Sequence, residues 1–80
     1  MSILAVEFES VAVDVIFGEH SFSVRLADGR EMTVPLEWSP RLRNATPDER
    51  QNWRFIGGGV GIHWEDVDED ISIESLLRVR

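Results

Sequence analysis

Eighty residues make one domain with a small core, because a chain of this length buries only roughly 60% of the surface it exposes when unfolded. The formal net charge is −7, and all 8 basic residues are arginine. Cysteine is absent, which excludes disulfides and thiolate metal sites, and no apolar run approaches the ~20 residues that cross a bilayer.

The chain opens with Met1-Ser2-Ile3-Leu4-Ala5-Val6-Glu7. No basic stretch precedes the apolar residues and Glu7 interrupts them, so a signal peptide is not expected and a cytoplasmic location is. Leu4, Val6 and Phe8 alternate weakly. Residues 1–10 therefore suit an extra strand or a subunit contact, which leaves a homo-oligomer open. Alternation strengthens at Val11, Val13, Val15 and Phe17, which share one side of an expected strand. Gly18-Glu19 supplies a turn. Phe22, Val24 and Leu26 alternate with Ser23 and Arg25, and Asp28-Gly29 is a hairpin signal of the type I′ kind. Met32, Val34 and Leu36 continue the pattern. Pro35 has no N–H to donate, so its strand ends there or lies at an edge. Residues 11–36 read as a three-stranded antiparallel meander with one apolar face.

Ser39-Pro40 opens a short helical turn through Leu42, with Pro40 at the first position. Thr46-Pro47-Asp48-Glu49 is a stronger start: Thr46 caps, Pro47 suits the first turn, and Glu49 completes a capping box. A helix of about two to three turns is expected to run from there to Gly57-Gly58-Gly59 and to carry Trp53, Phe55 and Ile56. It places Arg50 and Arg54 one turn apart, where like charges repel. Val60 to Trp64 reads as a fourth, short strand, with Ile62 and Trp64 on one face and His63 on the other. Ser72 caps a last helix bearing Ile73, Leu76 and Leu77, and Arg78 and Arg80 favour its C-terminal end. The expected architecture is α+β: a single domain over 1–80, with a mostly antiparallel sheet of about four strands (the meander plus the short later strand) covered by two short helices.

Chemistry concentrates between Gly59 and Asp70. A glycine-rich run leads to His63-Trp64, and Glu65, Asp66, Asp68, Glu69 and Asp70 follow. Asp66, Asp68 and Asp70 match the first three ligand positions of a calcium loop, but Ile71 and Leu77 stand where that loop needs glycine and a bidentate glutamate. Imidazole and carboxylates both ligate transition metals and both transfer protons, so His63 with Asp66, Asp68 and Asp70 defines one alternative, a metal-binding or hydrolytic protein. No serine stands in a G-x-S-x-G elbow, and no cysteine exists to act as nucleophile. Without lysine the glycine run cannot form a P-loop, and no cofactor is expected.

Charge is uneven. Residues 1–40 carry a net −5, residues 41–54 a net +2, and residues 55–80 a net −4. The basic insert, with Arg41, Arg43, Arg50 and Arg54 near Trp38 and Trp53, supports a third reading, a nucleic-acid-associated regulator. Phosphate binding needs more clustered cations than this chain has, so nucleic acid is not expected as a partner on its own. Three tryptophans suit core packing first, but an acidic surface with this tryptophan and arginine content suits a basic protein partner better than nucleic acid. Two stretches carry that expectation: the Trp38-Ser39-Pro40-Arg41 corner, and the run His63, Trp64, Asp66, Asp68, Glu69 and Asp70.

Specific strings then become recognisable. They are Leu26-Ala27-Asp28-Gly29-Arg30, Val34-Pro35-Leu36-Glu37-Trp38-Ser39-Pro40-Arg41-Leu42, Ala45-Thr46-Pro47-Asp48-Glu49-Arg50, Gly59-Val60-Gly61-Ile62-His63-Trp64, Asp68-Glu69-Asp70-Ile71-Ser72-Ile73 and Leu76-Leu77. Their order and spacing over residues 11–77 resemble the bacterial family called domain of unknown function 2442. The chain departs from it at Glu65, where members commonly have proline, and at Ser75, where glycine is frequent. The resemblance implies a small α+β domain without an established catalytic activity. It also implies a gene neighbourhood similar to toxin–antitoxin pairs, in which members lie beside a gene for another short protein. Some members are fused to helix-turn-helix domains, for which these residues leave no room. The leading expectation is a non-enzymatic, antitoxin-like protein-binding module that pairs with a small basic protein encoded nearby.

Overall fold

Six strands form two three-stranded antiparallel meanders in the computed structural model, which describes residues 9–78. The first sheet is β1 (Ala12–Phe17), β2 (Ser21–Leu26) and β3 (Glu31–Pro35), in that spatial order. A 3₁₀ turn (Leu36–Trp38) and two short helices follow, α1 (Pro40–Arg43) and α2 (Pro47–Gln51). The second sheet is β4 (Trp53–Ile56), β5 (Gly61–Trp64) and β6 (Glu69–Ser72), and α3 (Ile73–Leu77) closes the fold. The α+β mixture matches expectation. The sheet does not: six strands in two sheets replace about four in one, and three short α-helices replace two.

Alternation builds the first sheet as expected in β2 and β3. Phe22 opposes Val34 and Val24 opposes Met32, so one face is apolar. In β1 the register shifts between Ala12 and Asp14, a bulge that breaks the period. Ala12, Val15 and Phe17 therefore turn inward, and Val13 is exposed instead of sharing their side. The hairpin after β2 also differs from type I′. Of Asp28 and Gly29, only Gly29 has positive φ (96°), and the Gly29 N–H bonds the Leu26 carbonyl at 3.0 Å. This is a type I turn ending in a glycine bulge. Asp28 clamps it by accepting from the Arg30 side chain and from the Arg30 and Glu9 N–H groups. These bonds, led by the guanidinium, hold its pKa at about 2, down from 3.8. Pro35 ends β3, which is an edge strand.

The capping box forms as expected: Glu49 N–H bonds Thr46 Oγ1 at 3.2 Å, and Thr46 N–H bonds Glu49 Oε1 at 2.9 Å. The helix nevertheless ends at Gln51, and Trp53 to Ile56 become a strand. A capping box fixes where a helix begins and says nothing of where it stops. With only a few exposed residues to support it, the helix yields to pairing with β5, which buries Trp53 and Phe55. Arg50 and Arg54 thus lie on different elements, and the expected repulsion vanishes. Arg50 instead donates to the Leu42 and Arg43 carbonyls at 2.9 and 2.8 Å, satisfying the end of α1.

Gly57-Gly58-Gly59 joins two strands and does not stop a helix. At Gly59 φ is +105°, and an added Cβ would lie 2.7 Å from the Ala12 carbonyl oxygen. The Gly59 carbonyl in turn accepts from the Ala12 N–H at 2.7 Å, joining this hairpin to the first sheet. Ser72 caps α3 as expected, accepting from the Ser75 N–H at 3.1 Å. One core draws on both sheets: Phe22, Val24 and Leu26 from the first, Ile62 and Trp64 from the second, with Leu42 and Ile73. The strand or subunit contact expected at residues 1–10, and Arg80, lie outside the described residues apart from Glu9 and Ser10.

Candidate functional site

β5 carries opposite chemistry on its two faces. Trp64, expected as a partner contact, is 0% exposed. Its ring meets Phe17 and Phe22 edge-on at 6.2 and 5.9 Å, and its N–H donates to the Arg50 carbonyl at 3.0 Å. A side chain so enclosed has no surface to offer, so Trp64 leaves the expected partner surface and joins the core.

On the outer face, register places Arg54, His63 and Asp70 in a row across β4, β5 and β6. His63 Nδ1 lies 2.5 Å from Asp70 Oδ1, and its Nε2 lies 3.3 Å from Glu65 Oε1. Glu65 also lies 3.8 Å from Arg54. The ring is only 13% exposed. The Asp70 hydrogen bond raises the His63 pKa above its ordinary 6.5, against the desolvation that lowers it, and the charges of Asp70 and Glu65 add to the rise. The arrangement favours an imidazolium that hydrogen-bonds Asp70 through Nδ1 and has the Glu65 carboxylate beside Nε2.

The other acidic residues diverge. Asp66 accepts from the Asn52 side-chain amide at 2.9 Å. The Asp68 carbonyl accepts from Arg41, and Asp68 itself adopts φ 51° in the turn between β5 and β6. Glu69 accepts from the Ser39 hydroxyl at 2.6 Å and from the Asp70 N–H at 3.1 Å. Of the set His63, Asp66, Asp68 and Asp70, the structure brings only Asp70 to the histidine. Among the described residues no three histidine or carboxylate groups gather as a cation site. The two carboxylates on His63 occupy opposite ring nitrogens, a geometry in which they cannot share a metal with it.

The two stretches expected to meet a partner are neighbours in space. Ser39 caps α1, accepting from the Leu42 N–H at 3.3 Å, while its hydroxyl donates to Glu69 on β6. Arg41 reaches the Asp68 carbonyl. Pro40, exposed, opens α1. Beside this junction lies a groove of about 490 Å³ lined by Val34, Trp38, Glu69, Asp70, Ile71 and Leu76, with Ser39 and Ser75. Trp38 is 54% exposed and Asp70 65% exposed. Sequence reasoning missed the apolar lining, since strand and helix residues of that kind read simply as core. It also missed Glu65 as the second carboxylate on His63, although the two-residue period of a strand puts positions 63 and 65 on one side. Of the basic insert, Arg50 and Arg41 are engaged with backbone carbonyls and Arg54 lies near Glu65, which leaves little of it for phosphates.

Two linked antiparallel meanders with an acid-rimmed apolar groove define a small α+β domain. The chain belongs to the DUF2442 family of proteins of unknown function, whose model matches residues 12–80. It is similar to a protein of unknown function from Rhodospirillum rubrum ATCC 11170, known from a crystal structure: TM-score 0.73, 26% identity, covering 84% of this chain and 83% of that one. No curated protein matches the chain. No helix among the described residues is long and apolar enough to cross a membrane.

Proposed function

We propose that the protein is a non-enzymatic binding module that pairs, in an antitoxin-like manner and in the cytoplasm, with a small basic protein encoded nearby. The observation that carries this reading is the groove, where exposed Trp38 and an apolar floor of Val34, Ile71 and Leu76 are bordered by Asp70, whose exposed carboxylate lies on the outer face against His63. Tryptophan is favoured at the energetic centre of protein interfaces, and a carboxylate beside it pairs with an incoming arginine or lysine. Asp66, Asp68, Glu69 and the net charge of −7 favour the approach of a cationic partner.

The metal or hydrolytic alternative draws less support, because both nitrogens of His63 face carboxylates and Asp66 and Asp68 turn elsewhere. The test is co-expression with the short protein of the neighbouring gene. The pair is expected to co-purify at low salt and to separate as salt screens the charges. Trp38→Ala should abolish capture while the fold persists. Failure to co-purify at low salt overturns the reading.

A further inference from the structure

Resting on that reading, we infer that the partner docks as an extended strand added to the open edge of β6, with alternate residues apolar and basic. Among the described residues β6 pairs only with β5. The Ile73 N–H bonds the Val60 carbonyl at 2.9 Å, which fixes the phase of the β5–β6 ladder. Opposed residues in an antiparallel pair alternate between exchanging both backbone bonds and exchanging none. Ile71 and Glu69 therefore bond to β5, while the backbone groups of Asp70 and Ser72 point away from it. The short His63–Asp70 side-chain contact agrees, since non-bonded pairs lie closer.

Two of those outward groups are held locally. The Asp70 N–H bonds its neighbour Glu69 at 3.1 Å, and the Ser72 carbonyl accepts from the Ser75 hydroxyl at 2.7 Å. Among the described residues the Asp70 carbonyl and the Ser72 N–H remain for an incoming strand. The edge borders the groove, so the geometry specifies the ligand's side chains as well as its backbone. Residues on the Ile71 side of an added strand enter the groove over Val34 and Leu76, under Trp38, and must be apolar. Residues on the other side line up with Asp70 and favour arginine or lysine.

The probe is a short synthetic peptide alternating valine and arginine, compared with two versions N-methylated at one or the other alternate set of backbone nitrogens. In an added strand one set of N–H groups faces β6 and the other faces away. One methylated peptide should therefore lose about tenfold or more in affinity while the other binds like the parent. Amide resonances of Asp70 to Ser72 should shift, and a valine–glutamate peptide should not bind. No binding of the parent at about 1 mM, or equal binding of both methylated forms, overturns strand addition. Co-purification of the neighbouring protein separates the two levels: if it persists while the peptides fail, the pairing stands and the docking mode falls.

Discussion

Each sheet lays a three-residue charged row across its outer face, and the two rows behave differently. In the first, Asp14 opposes Arg25 and Arg25 opposes Glu31. In the second, Arg54 opposes His63 and His63 opposes Asp70. Arg25 is exposed and, among the described residues, makes no ion pair with either acid. His63 is covered and touches two carboxylates. Register alone therefore does not make an interaction. Covering the central residue restricts its rotamers and reduces competition from water, so opposition becomes contact. The first row is an unfastened surface, whereas the second is a fastened network.

The comparison can be pressed in order of expected effect. Trp64→Ala removes the ring by which the second sheet meets Phe17 and Phe22 of the first, and should cost about 3–5 kcal/mol. That is a large part of the ~5–15 kcal/mol that holds a small domain folded. Urea unfolding measures it, and a loss below about 1 kcal/mol would mean that the sheets are not joined there. Gly59→Ala comes next, at about 1–3 kcal/mol, because positive φ and the Ala12 carbonyl both oppose a side chain. Gly58→Ala should cost less: nothing lies within 4 Å of its added Cβ, and only backbone strain at φ +71° remains.

Acid and base then distinguish the rows. A raised folded pKa means that the stability from His63 is fully present below the unfolded value of 6.5 and disappears as pH rises through the higher folded value. His63→Gln should flatten that slope in thermal melts between weakly acidic and alkaline pH. A slope that survives would assign the network to another group. The Asp28 clamp has the opposite sign: its contribution is present above 3.8 and is lost as pH falls through about 2. The smallest effect belongs to the first row, where Arg25→Gln should change stability by no more than about 0.5 kcal/mol. A larger change would erase the contrast.

These differences also explain what could be read from the chain. β2 and β3 were legible because Phe22, Val24, Leu26, Met32 and Val34 alternate with polar residues. β1 also carries apolar residues at alternate positions, yet its bulge displaces Val13, and nothing in Val11-Ala12-Val13-Asp14-Val15 marks where the bulge falls. β4 was hidden behind a genuine helix start. β6 was hidden because Glu69 and Asp70 are poor strand formers, and pairing with β5 supplies what propensity lacks. The caps at Ser39, Thr46 and Ser72 were local and therefore visible. At the site, Trp38, His63 and Asp70 are candidates by residue type alone, but their assembly depends on strand register and on the Ser39–Glu69 bond, which spans 30 positions.

The hydrogen bond from the Ala12 N–H to the Gly59 carbonyl gives the molecule a built-in clock. Its proton can be replaced by deuterium from solvent only when the tip of the β4–β5 hairpin parts from the first sheet. The exchange rate of this one amide therefore reports how often the two halves separate. If they open only together, it should exchange as slowly as the amides at the centre of β2, and the chain breathes as one cooperative unit.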